Sequence, residues 1–499
     1  MKSSEAKRLG KRRLLGSAFF FMLCYLVLIA FIFLMVVLSH GNDWTGFIRE
    51  NVSRLLTLAF AALLLYAIIY YYYYFEDKTF FNQPSNIFLV FSIITVSIIV
   101  CFLFGKYINI YVRPSCMLAF LCVFLFNRRQ SIVINFVFSM LMFLIDIYTR
   151  EFRAFDPNNG EYFSLILSFM CGTVAIFAAS KVRTRGGLLL AGCAVAAPTL
   201  FIVFLLKIPT VYELKWIQLL SACGFSVLGC LFSAILALAL LPVFEFTFNK
   251  LTVFRLRELT STNAPILVRL QKEAPGTFNH SLIVAQLAET CAVAIGENAE
   301  LARAAAYYHD VGKLKQPDCF TENQTDYNVH DELMPELSAD IIRSHTKDGY
   351  DLLTAARLPA IIADVAREHH GTLPIKYFYD KANRLSGEDV DVRDFSYLGP
   401  TPQSRIAAII MIADAAEAST RALQKRDPES VEKVVRGIIE ERMDLDQFDE
   451  CNITIRDLTT IRMTLVEALS GVHHHRVEYP AIRFNRAKQA VKEETEKND

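Results

Sequence analysis

Seven residues between positions 280 and 414 have side chains that could do metal chemistry. They are five of the chain's ten histidines together with two aspartates: His280, His309, Asp310, His345, His369, His370 and Asp414. No Cys-x-x-Cys pair accompanies them, so a zinc-type thiolate site is not predicted. Nitrogen and oxygen ligands without sulfur suit borderline-to-hard divalent ions such as iron or manganese.

The series centres on the pair His309-Asp310, which is followed by Gly312 and Lys313. An isolated pair of this kind is most simply a polar turn. The surrounding ligands favour another interpretation, because seven ligands exceed the needs of one ion, and two ions that share a carboxylate would use them all. Two metal ions a few ångströms apart are a common device for splitting phosphoesters, since they activate water and hold the phosphate oxygens.

Helical periodicity, interrupted by Pro and Gly, predicts five helices that position these ligands. One begins at Ser281, and the others span 301–312, 335–343, 359–370 and 404–424. The histidines are then expected at helix ends, with His345 just past the third helix. Asp414 is expected inside the apolar fifth helix, where a carboxylate costs several kcal/mol unless it is paired or bound to metal.

Six sequence motifs occur in order in this half of the chain: Glu273–Leu282, Tyr307–Lys313, Glu322–Gln324, Ser344–Gly349, Glu368–Thr372 and Ala413–Ala418. With the multi-span region that precedes them, they resemble the HD superfamily of metal-dependent phosphohydrolases. They are most similar to the seven-transmembrane-HD family of PgpH-like bacterial cyclic di-AMP phosphodiesterases. The resemblance covers roughly residues 55–485.

The resemblance implies a site that holds two divalent metal ions, manganese or iron. One ion would be held by His280, His309, Asp310 and Asp414, and the other by His345, His369 and His370, with Asp310 bridging. Asp310 and Lys313 would be the catalytic residues, and the lysine would neutralise charge on the phosphate. The reaction would open cyclic di-AMP to linear pApA. The simpler interpretation of Lys313 is a solvent-exposed cation at a helix end.

Composition divides the 499-residue chain into an apolar first half and a charged, helical second half. The formal net charge is zero, which gives no indication of a nucleic-acid polymer as partner. We predict an all-α protein whose polytopic membrane domain precedes an all-helical cytosolic HD domain. The predicted parts are a transmembrane domain 1–248, a helical connector 249–275, an HD domain 276–487 and a disordered tail 488–499.

Eight apolar segments are predicted to span a bilayer, whose core needs about 20 residues per helix. They are 14–39, 55–75, 86–105, 111–126, 131–149, 162–180, 187–206 and 217–244. Lys and Arg are concentrated at the N-terminus and near Arg128 and Lys181, which lie on one side of the membrane in this arrangement. The positive-inside rule therefore places the HD domain in the cytoplasm, anchored to the inner membrane.

Two other functions are compatible with parts of the sequence. Relatives that cleave cyclic di-GMP carry Gly-Tyr-Pro after a His-His-Glu motif, whereas His370 is followed here by Gly371-Thr372-Leu373-Pro374. A membrane receptor that binds the nucleotide without turnover is the third hypothesis, and the complete set of ligands argues against it. No motif specifies an oligomeric state, and a homodimer through the spans or the connector is compatible with the sequence.

The sequence departs from the family pattern at two places. Family members usually carry a large extracellular domain after the first span, where this chain has residues 40–54. Asn279 also stands where many relatives have a second histidine. His280 is expected to be the ligand at this point, since it precedes Ser-Leu-Ile-Val-Ala in the manner of the superfamily.

Overall fold

The computed structural model describes residues 2–38, 44–149, 163–207, 216–324, 327–386 and 389–471. The chain divides into two compact units, Met1–Leu259 and Thr260–Asp499, and the division lies inside the predicted connector. Regular structure is helical throughout, and the strand-like pairing in the described residues is one antiparallel bridge between Pro374 and Ser396. The all-α prediction is confirmed. The predicted tail 488–499 lies outside the described residues.

The first unit contains eleven α-helices within the described residues. They are α1 (Lys2–Leu38), α2 (Trp44–Glu50), α3 (Val52–Glu76), α4 (Lys78–Phe81), α5 (Pro84–Tyr107), α6 (Met117–Leu125), α7 (Arg128–Tyr148), α8 (Phe163–Ala179), α9 (Arg185–Lys207), α10 (Trp216–Thr247) and α11 (Val253–Leu259), with a 3-10 helix at Ile110–Val112.

Six segments in the described part of this unit are long and apolar enough to cross a membrane: Leu14–Val37, Leu55–Glu76, Pro84–Tyr107, Arg128–Tyr148, Arg185–Lys207 and Trp216–Thr247. Two shorter apolar segments, Ile110–Leu125 and Ser164–Ala179, coincide with the other predicted spans. The chain is therefore a multi-pass membrane protein, and the count of eight spans is approximate. Pro114 explains why Ile110–Leu125 is not one continuous helix, because proline interrupts helical hydrogen bonding between the 3-10 turn and α6.

The interior of this unit contains an ion pair. The Arg113 guanidinium lies 2.7 Å from the Asp146 carboxylate, and both side chains are buried. Gly229 of α10 packs against the backbone beside Arg113, because a Cβ at this position would lie 2.9 Å from the Arg113 carbonyl oxygen. The pair therefore joins the segment before α6 to the end of α7, where an unpaired charge would be costly.

The second unit contains nine α-helices in its described residues. They are α12 (Pro265–Glu273), α13 (Pro275–Ala294), α14 (Ala299–Tyr308), α15 (Pro335–Ala355), α16 (Ala360–Glu368), α17 (Lys376–Ser386), α18 (Arg405–Arg421), α19 (Pro428–Asp444) and α20 (Ile455–Gly471). Short 3-10 helices lie at Val311–Lys315, Pro317–Cys319, Thr321–Asn323, Val329–Asp331 and Val392–Phe395.

Helices α13, α14, α16 and α18 form the core that positions the site. Their contacting faces are rich in alanine, and Ala305, Ala366 and Ala408 are among the completely buried residues. Small side chains let helix backbones approach closely, so residues at the helix ends are brought together. Ser404 fixes the start of α18, because its hydroxyl accepts a hydrogen bond from the Ala407 amide at 3.1 Å.

Three predicted helix bounds are wrong by more than three residues. Helix α13 begins at Pro275 rather than at Ser281, so His280 lies in its second turn. Helix α14 ends at Tyr308 rather than at residue 312, and Val311–Lys315 turns away as a 3-10 helix. The reason is the packing of Gly312, where a Cβ would lie 1.9 Å from the His345 carbonyl oxygen. Helix α15 continues to Ala355, so His345 stands in its middle rather than past its end.

Candidate metal centre

All seven predicted ligands come together in the second unit, at the ends or in the middle of α13, α14, α15, α16 and α18. They form two groups within which the candidate ligand atoms lie within 4.8 Å of one another. We name His280, His309 and Asp414 the first ligand group. We name His345, His369 and His370, which cluster with Asp310, the second ligand group.

Asp310 lies between the two groups, and each of its oxygens faces one of them. Its Oδ2 is 3.3 Å from His309 Nε2 and 3.8 Å from His280 Nε2. Its Oδ1 is 3.4 Å from His345 Nε2 and 3.6 Å from His369 Nε2. A carboxylate in this position can bind one ion through each oxygen.

Three histidines are oriented by their own helices. The Nδ1 atoms of His309, His345 and His369 lie 2.7, 2.6 and 2.9 Å from the carbonyl oxygens of Ala306, Ile342 and Ala366, three residues earlier. A hydrogen bond from Nδ1–H to a carbonyl fixes the tautomer and leaves Nε2 as the ligand atom. The Nε2 atoms consequently point toward Asp310.

His280 is held by carboxylates instead. Its Nε2 is 2.9 Å from Asp414 Oδ1, and its Nδ1 is 2.7 Å from Glu417 Oε2. Arg421, one turn further along α18, donates to both oxygens of Glu417 at 2.6 Å. Sequence reasoning did not assign Glu417 or Arg421. The three-residue spacing from Asp414 to Glu417 was an available signal, because such residues share a helix face.

Lys313 is buried in the site. Its Nζ lies 2.8 Å from Asp310 Oδ2 and 2.7 Å from Glu322 Oε1, and its side chain is 12% exposed. Glu322 in turn accepts a hydrogen bond from the Thr277 hydroxyl at 3.0 Å. The interpretation of Lys313 as a solvent-exposed cation is therefore wrong. The lysine forms an ion pair with Asp310 without a substrate in the site.

Proton affinities differ between the two groups. Burial alone would lower the pKa of His280, but hydrogen bonds to Asp414 and Glu417 outweigh it and raise the pKa to about 9. Burial is likewise outweighed at His309, where the charge of Asp310 raises the pKa to about 10. In the second group burial prevails and lowers the pKa of His345 to about 3. The first group therefore binds protons at neutral pH, whereas His345 is neutral.

Two buried polar atoms indicate that the site fits metal ions. Among the described residues, His309 Nε2 and Asp310 Oδ1 are buried and make no hydrogen bond. Buried polar atoms are nearly always satisfied, so atoms without a partner require an explanation. Both are ligand atoms of the two groups, and divalent ions there would satisfy them. Imidazole and carboxylate donors without thiolate suit iron or manganese.

The sequence matches two family models in succession. One, described as "7TM receptor with intracellular HD hydrolase", matches residues 52–252, and the other, described as "HD domain", matches residues 277–419. The first match begins after α1 and includes seven of the eight apolar segments described above. The second includes all seven candidate ligands.

Two curated relatives are named cyclic-di-AMP phosphodiesterase PgpH. The one from Bacillus subtilis is 37% identical over 413 residues, which cover 81% of this chain and 57% of the relative. The one from Listeria monocytogenes is 40% identical over 326 residues, which cover 65% of this chain and 45% of the relative. The chain thus spans about half the length of the curated relatives it matches.

A crystal structure of the L. monocytogenes PgpH HD domain in complex with cyclic-di-AMP also matches part of the chain. The sequences are 45% identical and the TM-score is 0.41, with 43% of this chain and 100% of that chain covered.

Proposed function

Because the chain belongs to the seven-transmembrane-HD family, whose description is a 7TM receptor with an intracellular HD hydrolase, we propose that it is a membrane-anchored phosphodiesterase. The proposed reaction is hydrolysis of cyclic di-AMP to linear pApA, which would control the level of this second messenger. Two relatives named cyclic-di-AMP phosphodiesterase support the choice of substrate. The cyclic dinucleotide would be the soluble partner.

The observation on which the proposal rests is the position of Asp310. Its two oxygens face separate histidine groups at 3.3 to 3.8 Å, which is the arrangement expected of a carboxylate shared by two ions. We propose that His280, His309, Asp310 and Asp414 hold one ion. His345, His369, His370 and Asp310 would hold the other.

Two bound divalent ions, manganese or iron, would supply Lewis-acid stabilisation of the phosphoryl oxygens and would lower the pKa of water. The protein's own contribution is to position and screen these groups. Lys313 holds Asp310 Oδ2 at 2.8 Å and places a buried positive charge beside the site, where it favours a phosphate anion. Glu322 keeps Lys313 in place from its other side at 2.7 Å.

We propose that the HD unit lies in the cytoplasm and that the spans lie in the inner membrane. Support comes from the Lys and Arg residues at the N-terminus, near Arg128 and near Lys181, which all fall on the HD side of the predicted arrangement. A cyclic dinucleotide made inside the cell would then reach the site directly. The homodimer stays a prediction.

The proposal is tested with the full-length protein, purified in detergent and loaded with Mn²⁺. Cyclic di-AMP and cyclic di-GMP are supplied separately, and products are identified by liquid chromatography and mass spectrometry. We expect pApA from cyclic di-AMP and little turnover of cyclic di-GMP. Asp310→Asn should abolish turnover, because it removes the shared anionic ligand while keeping the side-chain shape.

Asp364→Asn is the matched control, since Asp364 belongs to the same unit but is half-exposed and pairs with Arg367 at 3.1 Å. This variant should hydrolyse cyclic di-AMP as the wild type does. Product from cyclic di-GMP alone would overturn the substrate assignment. Absence of product from either nucleotide, with two ions bound per chain, would favour the receptor that binds without turnover.

A further inference from the structure

His370 is anchored differently from the three histidines that bond to a carbonyl of their own helix. Those histidines, His309, His345 and His369, each have Nδ1 within 2.9 Å of a carbonyl oxygen. Among the described residues, His370 forms no such bond, and its Nδ1 comes no nearer than 3.9 Å to the Asp414 carboxylate. Polar partners normally fix the ring plane of a ligating histidine, so another contact must do so here.

His370 makes ring contacts instead. Its centroid lies 4.1 Å from that of the tilted His369 ring and 5.2 Å from that of the His345 ring, and its one near-parallel stack is with a tyrosine. The ring of Tyr397 lies nearly parallel to the His370 imidazole, with centroids 4.4 Å apart and an interplanar angle of 23°. The same tyrosine meets His345 edge-on at 6.0 Å. Stacked and edge-to-face pairs at these separations are favourable arrangements for aromatic rings. Tyr397 therefore contacts two members of the second ligand group.

The segment that carries Tyr397 is fixed to the chain that follows the histidine pair. The Tyr397 amide donates to the Leu373 carbonyl at 3.1 Å, and the Ile375 amide donates to the Phe395 carbonyl at 2.7 Å. Gly399 packs so closely that a Cβ would lie 2.3 Å from the Arg367 carbonyl oxygen. These contacts on both sides of Tyr397 fix the backbone from which its ring projects.

The side chain of His370 is more exposed than those of the other two histidines in its group. The side chains of His345 and His369 are 1% and 0% exposed, whereas that of His370 is 23% exposed. His370 thus stands at the accessible edge of the second group, where solvent can reach the ring. A ring at such an edge needs its plane fixed more than a fully packed ring does.

We propose that Tyr397 is a positioning residue, which holds the imidazole of His370 in the orientation that binds the second metal ion. This inference rests on the proposed two-metal site and adds to it the residue that completes the second group. The stacking face of the ring performs the role. The hydroxyl group is not required for it.

The test measures metal content rather than turnover alone. Full-length wild type, Tyr397→Ala and Tyr397→Phe are titrated with Mn²⁺, and bound metal is counted by mass spectrometry after gel filtration. Tyr397→Ala should weaken the second ion by about 10- to 100-fold, the usual effect of losing a residue that orients a ligand. Tyr397→Phe should keep both ions at wild-type affinity, because it keeps the stacking face.

Tyr379→Ala is the matched control, since Tyr379 is a half-buried tyrosine of the same unit that packs near Phe395, with ring centroids 6.1 Å apart. It should retain both ions. Thermal unfolding of each variant separates misfolding from a specific loss, because the first ion stays bound if the unit is folded. Equal binding of both ions by wild type and Tyr397→Ala would overturn the proposal, as would loss of the second ion in Tyr397→Phe.

The outcomes for Tyr397 and for the enzyme are distinguishable. A wild type that binds two ions but does not cleave cyclic di-AMP would contradict the proposed function and leave the positioning role standing. A cleaving wild type whose second ion is indifferent to Tyr397→Ala would contradict the positioning role alone.

Discussion

The two ligand groups of the candidate metal centre share Asp310 but are built in different ways. The first group is rich in charge, because Asp414 and Glu417 both bond to His280 and Arg421 bonds to Glu417. The second group contributes only imidazoles, oriented by backbone carbonyls or by an aromatic ring. The first group consequently holds protons tightly, whereas His345 in the second is a neutral imidazole, because burial lowers its pKa to about 3.

Two ions bound at this site would therefore not be equivalent, although both would share the Asp310 carboxylate. An ion entering the first group must displace protons from His280 and His309, but it gains the anionic ligand Asp414. An ion entering the second group meets two imidazoles, His345 and His370, whose pKa values are lowered by burial, and its anionic ligand is the shared Asp310. We therefore expect the two ions to differ in their pH dependence and in their sensitivity to neighbouring residues.

The largest effect should come from removing one ligand of each group in turn. His309→Ala should lose the first ion and His345→Ala the second, so each variant should bind one ion. Turnover should fall by more than about a hundredfold in both, beyond the loss typical of an orienting residue. Metal counting and product analysis check this. Loss of both ions from His345→Ala would mean that the groups do not act as separate sites.

The same two variants show how the affinity for each metal ion depends on pH. In His345→Ala the remaining ion competes with protons on His280 and His309, whose pKa values are raised to about 9 and about 10. Between pH 6 and 8 its affinity should therefore rise roughly a hundredfold per pH unit for two displaced protons, and level off above these pKa values. In His309→Ala the affinity should change little, since the pKa of His345 is lowered to about 3. If metal affinity changed equally with pH in the two variants, the proposed difference between the two ligand groups would be contradicted.

A smaller effect is expected at Glu417. Glu417→Gln keeps a hydrogen-bond acceptor near His280 Nδ1 but removes the charge, so the first ion should bind about tenfold more weakly and the second should be unchanged. Mn²⁺ titration at pH 8 checks the change. Glu289→Gln is the control, because Glu289 pairs with Arg303 at 3.0 Å in the same unit without contacting the ligands. A similar loss at both ions in Glu417→Gln would show that the groups are coupled through more than Asp310.

The helical architecture and the set of ligands could be predicted from the sequence. Apolar runs and helical periodicity predict the helices, and the local motifs contain the ligands. Asp414 is an example, since its apolar helix requires a partner for the carboxylate. The position of His345 could not be predicted. The polar stretch Lys347-Asp348-Gly349 obscures the helical pattern, and α15 continues there because Gly349 packs close to Gly312, a contact between residues distant in sequence.

The residues that orient the ligands were harder to find. Glu417 lies within a motif quoted for the resemblance, yet its role depends on how α13 crosses α18 and brings His280 within 2.7 Å. Tyr397 follows the 3-10 helix Val392–Phe395, and nothing local to the sequence places its ring on His370. Such contacts follow from tertiary packing rather than from spacing along the chain.

Electron paramagnetic resonance of the full-length protein loaded with Mn²⁺ tests most directly whether two ions share the Asp310 carboxylate. Two ions that share the Asp310 carboxylate should give the spectrum of a magnetically coupled pair, and Asp310→Asn should abolish it. Signals of isolated Mn²⁺ in the fully loaded wild type would contradict the shared carboxylate and, with it, the two-metal account of this site.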